Sequence, residues 1–234
     1  MPEVPKLTSL PVSSARSAFE DQIPSDLPTT ITYNHQIIIR APPGTNFWRQ
    51  PPNTDIQNAP TRLIPIPIDK FHSARVTVSA NWSTPYDQGG LILFIIDGNT
   101  TSWVKTGFEL KEKLTGMAVF SVPWSDVGTV PLENVKDKMT IQVERQVEKG
   151  KKLDSLRVYI VDETGKKGFR RNTSWFTHNV PGPDQKISKD TSTSDNRQLL
   201  VGIFAARPTI PEGEGREHGH VVTFEGFEVK LFDD

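Results

Sequence analysis

The segment YDQGGLILFIIDGNTTSWVKTGFEL at residues 86–110 decides the fold of this chain. Within it, residues 89–96 form a continuous apolar run, which predicts a strand buried on both faces. Residues 103–110 predict the next strand, and alternation places four of its side chains on one face: Trp103, Lys105, Gly107 and Glu109. This row consists of an aromatic ring, a cation, a gap and a carboxylate, which favours a surface that binds a ligand, here termed a ligand platform. A solvated outer face with a cross-strand ion pair is the alternative.

Short apolar segments between turn residues predict further strands along the chain. They span residues 31–40, 63–68, 74–82, 117–124, 139–147, 156–161, 199–206 and 221–232. Pro65 and Pro67 confine the second of these to a sheet edge or a β-like extended run. Gly226, where the apolar alternation changes phase, predicts a β-bulge. Roughly ten strands without a sustained helical period predict an all-β, two-sheet antiparallel sandwich.

A single domain is predicted over residues 28–234. Residues 1–27 are polar and interrupted by prolines, and they predict a flexible N-terminal tail. Two polar insertions, at residues 177–197 and 209–220, contain too few apolar residues to join a core. Loops of this length are typically functional or disordered.

The amino-acid composition excludes several classes of binding partner. The 234 residues carry 27 Lys and Arg against 28 Asp and Glu, a net charge of -1, so we expect neither nucleic acid nor a membrane surface as a partner. The longest uninterrupted apolar run, residues 91–96, is far short of a membrane span, and the N-terminal segment lacks the apolar stretch of a secretory signal, which favours a cytoplasmic location. The chain has no cysteine, and it has no phosphate-cradling glycine loop, so we expect no cofactor.

Four motifs carry a family resemblance: Phe47-Trp48, DQGG at residues 87–90, WVKTGFE at residues 103–109 and VTFEGF at residues 222–227. Together they resemble an uncharacterised concanavalin A-like family, whose fungal members are named for regulation of enolase. The resemblance covers roughly residues 37–232. It implies a jelly-roll sandwich of the lectin and glucanase type, with a concave sheet that in relatives often receives a carbohydrate. It implies no particular reaction.

Trp103, Lys105 and Glu109 are the leading candidate ligand-binding residues, because an aromatic face covers sugar C–H groups while charged side chains bond the hydroxyls. At about 3.3 Å per residue, Lys105 and Glu109 lie about 13 Å apart along the strand, so we expect no tight ion pair between them. The further candidates are Gln88, Asp87, Trp48, Trp124, Arg157 and Tyr159. For Asp87 the alternative is a turn cap, and for the two tryptophans it is a loop anchor.

Catalysis is the second hypothesis. Lys105, Glu109 or Asp87 would then serve as acid or base in a cofactor-independent isomerase, lyase or cyclase. A glycosidase requires two carboxylates about 5–10 Å apart across the scissile bond. Glu109 is the only acidic residue of its predicted strand, so we do not expect glycoside hydrolysis.

Two further clusters are weaker candidates. The segment EGREHGH at residues 214–220 brings together Glu214, Glu217, His218 and His220. These are zinc-type ligands, but on a glycine-rich loop the pattern is usually accidental, and we expect no metal. The basic segment GKKGFRR at residues 165–171 is interpreted as a solvated turn, with an anionic partner as the alternative.

The sequence as a whole predicts non-enzymatic binding of a small polar ligand, such as a carbohydrate or sugar-like metabolite, on the concave sheet. The alternatives are the cofactor-independent enzyme and a protein-interaction module that uses the exposed sheet and loops. The ligand, the oligomeric state and the pathway are not encoded in any motif of the chain.

Overall fold

A computed structural model describes residues 4–9, 27–97, 100–122, 124–132, 138–176, 197–212 and 218–233. Within these ranges the chain forms fifteen β-strands and no helix. In chain order the strands are β1 (Thr30–Tyr33), β2 (Ile37–Ala41), β3 (Phe47–Gln50), β4 (Thr54–Gln57), β5 (Thr61–Pro67), β6 (Phe71–Ala80), β7 (Gln88–Asp97), β8 (Thr100–Leu110), β9 (Leu114–Ser121), β10 (Ser125–Pro131), β11 (Met139–Glu148), β12 (Lys151–Val161), β13 (Lys167–Thr173), β14 (Gln198–Ala206) and β15 (His220–Leu231). A search of the same residues finds no helix with the length and apolarity to cross a membrane.

The strands form two antiparallel sheets with the main core between them. One sheet has six strands in the order β10, β9, β8, β7, β14, β5, and the other has β1, β15, β6, β11, β12 and β13 in order, with β2 also paired to β15. The facing side chains include Leu93 and Val104 from the first sheet and Val76 and Phe224 from the second, all fully buried. The predicted all-β, two-sheet antiparallel sandwich is therefore confirmed.

β7 is buried on both faces, as its apolar run predicts. Leu91 and Leu93 belong to the core between the sheets, whereas Ile92 and Phe94 belong to a second apolar cluster on the opposite, outer face of the six-stranded sheet. The separate hairpin of β3 and β4 covers this cluster with Phe47, whose ring packs on Phe94 at a centroid distance of 5.4 Å. The sequence did not predict this hairpin, and it encloses one half of the outer face.

The strand that contains Pro65 and Pro67, β5, lies at the edge of the six-stranded sheet, as the prolines predict. On its outer side, the backbone N and O of Leu63 each bond to Thr8 at 3.0 Å. Residues 4–9, which fall in the predicted flexible tail, therefore lie against the sandwich. The remainder of that tail, residues 1–3 and 10–26, falls outside the described residues.

Three local predictions are tested by the strand limits. Around Gly226 the register of β15 shifts between Glu225 and Glu228 and Gly226 has a φ of +59°, so the predicted β-bulge is confirmed. The interpretation of residues 165–171 as a solvated turn is wrong, because residues 167–173 pair with β12 as strand β13. Of the two insertions, residues 177–196 and 213–217 lie outside the described part.

Gly90 and Gly107 pair directly across β7 and β8, and the backbones approach closely there. A Cβ on Gly107 would lie 2.1 Å from the carbonyl oxygen of Gly89, a main-chain atom that cannot move aside.

We expect Gly107→Ala to lower the free energy of unfolding by about 3 kcal/mol, measured by chemical denaturation. At Gly150 a Cβ meets nothing within 4 Å, so Gly150→Ala should lose only the ~1 kcal/mol of a left-handed backbone. Equal losses would contradict the close approach.

Candidate functional site

A cavity of about 290 Å³ opens on the outer face of the six-stranded sheet, beside the β3–β4 hairpin. Its floor consists of outward-facing strand residues: Gln88, Lys105, Glu109, Met117, Val119 and Val127. Its rim consists of residues from the hairpin and the loops: Asn46, Trp48, Tyr86, Lys111 and Pro208. Ligand sites typically measure about 300–1,000 Å³, so this volume suits a small ligand.

The strand register places the floor residues side by side. Glu109 lies opposite Gln88 across β7 and β8, Lys105 lies opposite Val119 across β8 and β9, and Val119 lies opposite Val127 across β9 and β10. Directly opposed residues of an antiparallel pair share one face of the sheet. The alternation of residues 103–109 therefore delivers Lys105 and Glu109 to the same cavity.

Lys105, Gln88 and Glu109, here termed the polar triplet, are joined by hydrogen bonds. Lys105 Nζ donates to Gln88 Oε1 at 2.9 Å, and Gln88 Nε2 donates to Glu109 Oε1 at 2.8 Å. Lys105 Nζ also donates to Asn46 Oδ1 at 3.0 Å, and Lys111 Nζ lies 3.5 Å from Glu109 Oε2. The amide of Gln88 thus connects a cation to a carboxylate that are four residues apart on β8.

Burial changes the chemistry of Lys105. The residue is 1% exposed, and the rings of Trp103 and Phe204 lie 5.8 and 6.0 Å from Nζ. Removal of the ammonium from water lowers the pKa of Lys105 to about 7, against the smaller opposing effect of the Glu109 charge. About half of the side chains are therefore neutral amines at pH 7, and a neutral amine is a base and a nucleophile.

Trp103 lies beneath the hairpin. Its side chain has no exposed surface and packs against Phe47 at a centroid distance of 6.3 Å. The predicted platform of Trp103, Lys105 and Glu109 is thus divided: Lys105 and Glu109 line the cavity, whereas Trp103 belongs to the apolar cluster. The alternative of a solvated outer face is wrong, because the hairpin covers this part of the sheet.

Asp87 lies in a second, fully buried cluster. Its two carboxylate oxygens accept hydrogen bonds from Nε and Nη2 of Arg207 at 2.7 and 2.8 Å. Oδ2 also accepts from the backbone N–H groups of Ser83 and Thr84 at 3.3 and 3.0 Å. Asp87 therefore caps the turn that leads into β7, and it does not line the cavity.

We expect Asp87→Asn to lower the free energy of unfolding by about 3–5 kcal/mol, because it removes the carboxylate charge from a buried ion pair with Arg207. Chemical denaturation at neutral pH measures the loss. The control is Glu225→Gln, which removes a carboxylate from an exposed ion pair with Lys138 and should leave the free energy of unfolding nearly unchanged. A small loss for Asp87→Asn would show that the buried pair does not hold this turn.

His220 belongs to the same buried cluster as Asp87. His220 Nδ1 lies 3.4 Å from Asp87 Oδ2, and its ring packs against Trp82 at a centroid distance of 5.1 Å. His218 is exposed and offers its backbone carbonyl to Arg207. Glu214 and Glu217 fall outside the described residues, and the described residues contain no group of three or more metal-ligating side chains.

Burial lowers the pKa of His220 from 6.5 to about 4; the Asp87 charge opposes this shift and the Arg207 charge adds to it. Between pH 6.5 and 4 the unfolded chain therefore binds a proton that the folded chain excludes, so stability falls as the pH is lowered through this window. We expect His220→Phe to remove about 3 kcal/mol of this acid-induced loss. Denaturation at pH 7 and pH 4 compares the two chains. Parallel pH profiles would contradict the effect.

Residues 26–231 match a family described as "Protein of unknown function (DUF1349)". The chain belongs to the DUF1349 family. An uncharacterised protein of Emericella nidulans is 33% identical to it over 199 residues, which cover 83% of the chain and 86% of that protein.

Solved structures share the fold of the DUF1349 chain. A functionally unknown protein from Saccharomyces cerevisiae has a TM-score of 0.65 at 19% identity, with 100% of both chains covered. A GH43 protein from Bacillus licheniformis has a TM-score of 0.50 at 16% identity, covering 74% of the DUF1349 chain and 30% of that protein. At these identities the likeness shows the fold alone, and the predicted concanavalin A-like sandwich is confirmed. The enolase-related name stays a prediction.

The remaining candidates are scattered over the DUF1349 domain. Trp48 lies at the rim of the cavity. Trp124 is 39% exposed in the turn between β9 and β10 and does not line the cavity. Arg157 and Tyr159 lie on β12 of the other sheet, where Phe169 contacts both side chains. These last two are therefore separated from the cavity by the thickness of the sandwich.

Sequence reasoning missed seven residues that line the cavity of the DUF1349 domain: Asn46, Tyr86, Lys111, Met117, Val119, Val127 and Pro208. The predicted strands at residues 103–110 and 117–124 contained a signal for Val119, because they pair in a register that places Val119 beside Lys105. Val127 lies on β10, for which no strand was predicted. Asn46 and Pro208 reach the cavity through loops, which carry no periodic signal.

Proposed function

We propose that this DUF1349 domain binds a small polar ligand, a carbohydrate or sugar-like metabolite, in the cavity above the polar triplet. The observation that carries the proposal is the composition of one small cavity. Hydrogen-bonding groups of both charge signs line its floor, and two aromatic side chains, Trp48 and Tyr86, stand at its rim. Sites for small ligands combine apolar walls with a few placed polar groups in this way.

The chemistry of the lining fits hydroxyl groups. Glu109 offers an acceptor and Lys111 a donor at the same side of the cavity, and a hydroxyl group both donates and accepts. Trp48 and Tyr86 supply rings of the kind that cover the C–H face of a sugar. Met117, Val119 and Val127 complete an apolar wall. The cavity therefore offers hydrogen-bonding partners for the hydroxyl groups of a polyol and apolar partners for its C–H groups.

Glycoside hydrolysis is not proposed. Among the described residues that line the cavity, Glu109 is the only carboxylate, and the two-carboxylate mechanism needs a second one across the scissile bond.

A cofactor-independent enzyme is the second candidate, and the pKa of Lys105 near 7 favours it, because a group that titrates at the working pH serves as acid and base. Conversion of a bound ligand, lost in Lys105→Met, would distinguish it from simple binding.

A thermal-shift screen of monosaccharides, sugar acids and polyols tests the proposal. At a ligand concentration of about 100 times Kd, binding stabilises the folded state by ~2.7 kcal/mol. We expect Trp48→Ala and Glu109→Gln to lose most of this stabilisation. The matched control is Phe169→Ala, which removes a ring that is 51% exposed on β13, on the other sheet, and it should keep the full shift.

Two results would contradict the proposal: no compound stabilises the wild-type domain, or Trp48→Ala and Phe169→Ala respond alike. Trp103→Ala does not serve this test. Its indole is completely buried, and truncation of a buried aromatic side chain costs about 3–5 kcal/mol of stability whatever the cavity binds.

A further inference from the structure

Lys105 presents an amine of fixed orientation to the cavity. Its nitrogen donates to Gln88 Oε1 and to Asn46 Oδ1, and both acceptors line the cavity with it. A neutral lysine amine has two hydrogens and one lone pair, and these two amide oxygens account for both hydrogens. The remaining tetrahedral position on Nζ is the lone pair, which is the position from which a nucleophile attacks.

The surroundings keep this amine reactive. Burial lowers the pKa of Lys105 to about 7, so the lone pair is free on about half of the molecules at neutral pH. The Glu109 carboxylate lies on the same floor, one amide away through Gln88. A carboxylate beside an amine can take up and return the protons that move during the addition of an amine to a carbonyl group.

We propose that Lys105 forms an imine with the carbonyl carbon of a small polyhydroxy aldehyde or ketone held in this cavity. The inference rests on the proposed function and narrows the ligand to molecules that carry a free carbonyl group, such as open-chain sugars and short hydroxy aldehydes. The cavity of about 290 Å³ limits the ligand to a small molecule.

The covalent step is balanced without any further reactant. Nζ of Lys105 bonds to the carbonyl carbon while the C=O π pair moves to oxygen, and a proton passes from nitrogen to that oxygen, giving a carbinolamine. The carbinolamine then loses its hydroxyl group and the second nitrogen proton as water, which forms the C=N bond. The Gln88 amide only orients Lys105 and Glu109; the Glu109 carboxylate lines the same cavity and exchanges these protons with the oxygen of the bound ligand directly. The reverse reaction with water releases the ligand.

Reductive trapping tests the inference. The full chain is incubated with glycolaldehyde and cyanoborohydride, which reduces an imine to a stable secondary amine, and the products are analysed by intact mass and peptide mapping. We expect one fast adduct per chain, on Lys105, formed at least ten times faster than adducts on exposed lysines. Its rate should rise with pH through about 7. Lys105→Met should lose the fast adduct, and Lys138→Met, which removes an exposed lysine, should retain it.

The result that would overturn the inference is labelling spread over exposed lysines, with Lys105 spared. Peptide mapping of the wild-type chain alone gives this answer, so the test stands even if Lys105→Met fails to fold. A polyol that stabilises the wild-type domain without slowing the Lys105 adduct also overturns it. Stabilisation by polyols with no adduct on Lys105 refutes the imine and leaves the proposed binding function intact. Neither stabilisation nor an adduct refutes both.

Discussion

The pairing register of β7 with β8 is the constraint on which the rest of the structure depends. A shift of one residue would move Lys105 and Glu109 into the main core and expose Val104 and Phe108. Main-chain contacts at the end of the pair fix the register, because Leu110 N donates to Asp87 O at 2.9 Å. The Asp87–Arg207 ion pair then ties this end to β14. The buried Asp87–Arg207 pair therefore fixes the position of β7 and β8, and these two strands place Lys105 and Glu109 in the cavity.

The two buried clusters divide the polar chemistry of the domain. Asp87 and Arg207 neutralise each other within hydrogen-bond distance, so neither has a group left for a ligand in the cavity. Burial lowers the pKa of Lys105 to about 7, and the Glu109 charge, which is joined to Lys105 through the neutral Gln88 amide, opposes this only in part. Removal of one partner from a mutual buried ion pair destabilises a fold, whereas an indirectly joined amine and carboxylate retain reactivity. The matching family is described only as a protein of unknown function, so this difference is the main guide to the site.

Local patterns predicted the strands well and their partners less well. Alternation along residues 103–110 showed which side chains leave the main core, because that property is local to one strand. It did not show that Phe47 covers Trp103, since the β3–β4 hairpin reaches this face through a long-range contact. The charges of residues 165–171 indicated a turn, yet pairing with β12 makes most of them a strand. The site was predicted only in part for the same reason: Gln88, Lys105 and Glu109 of its floor follow strand periodicity, whereas most of its rim comes from the hairpin and the loops.

The proline-bearing edge of β5 has a consequence for the behaviour of the protein at high concentration. Backbone groups of a strand point alternately to its two sides, so Pro65 and Pro67 face the same outer side as Leu63. Both prolines lack an N–H group, and Thr8 occupies the donor and acceptor of Leu63. This outer side therefore offers few groups for a strand of another molecule to pair with. The arrangement protects the β5 edge of the six-stranded sheet from pairing with a strand of another molecule.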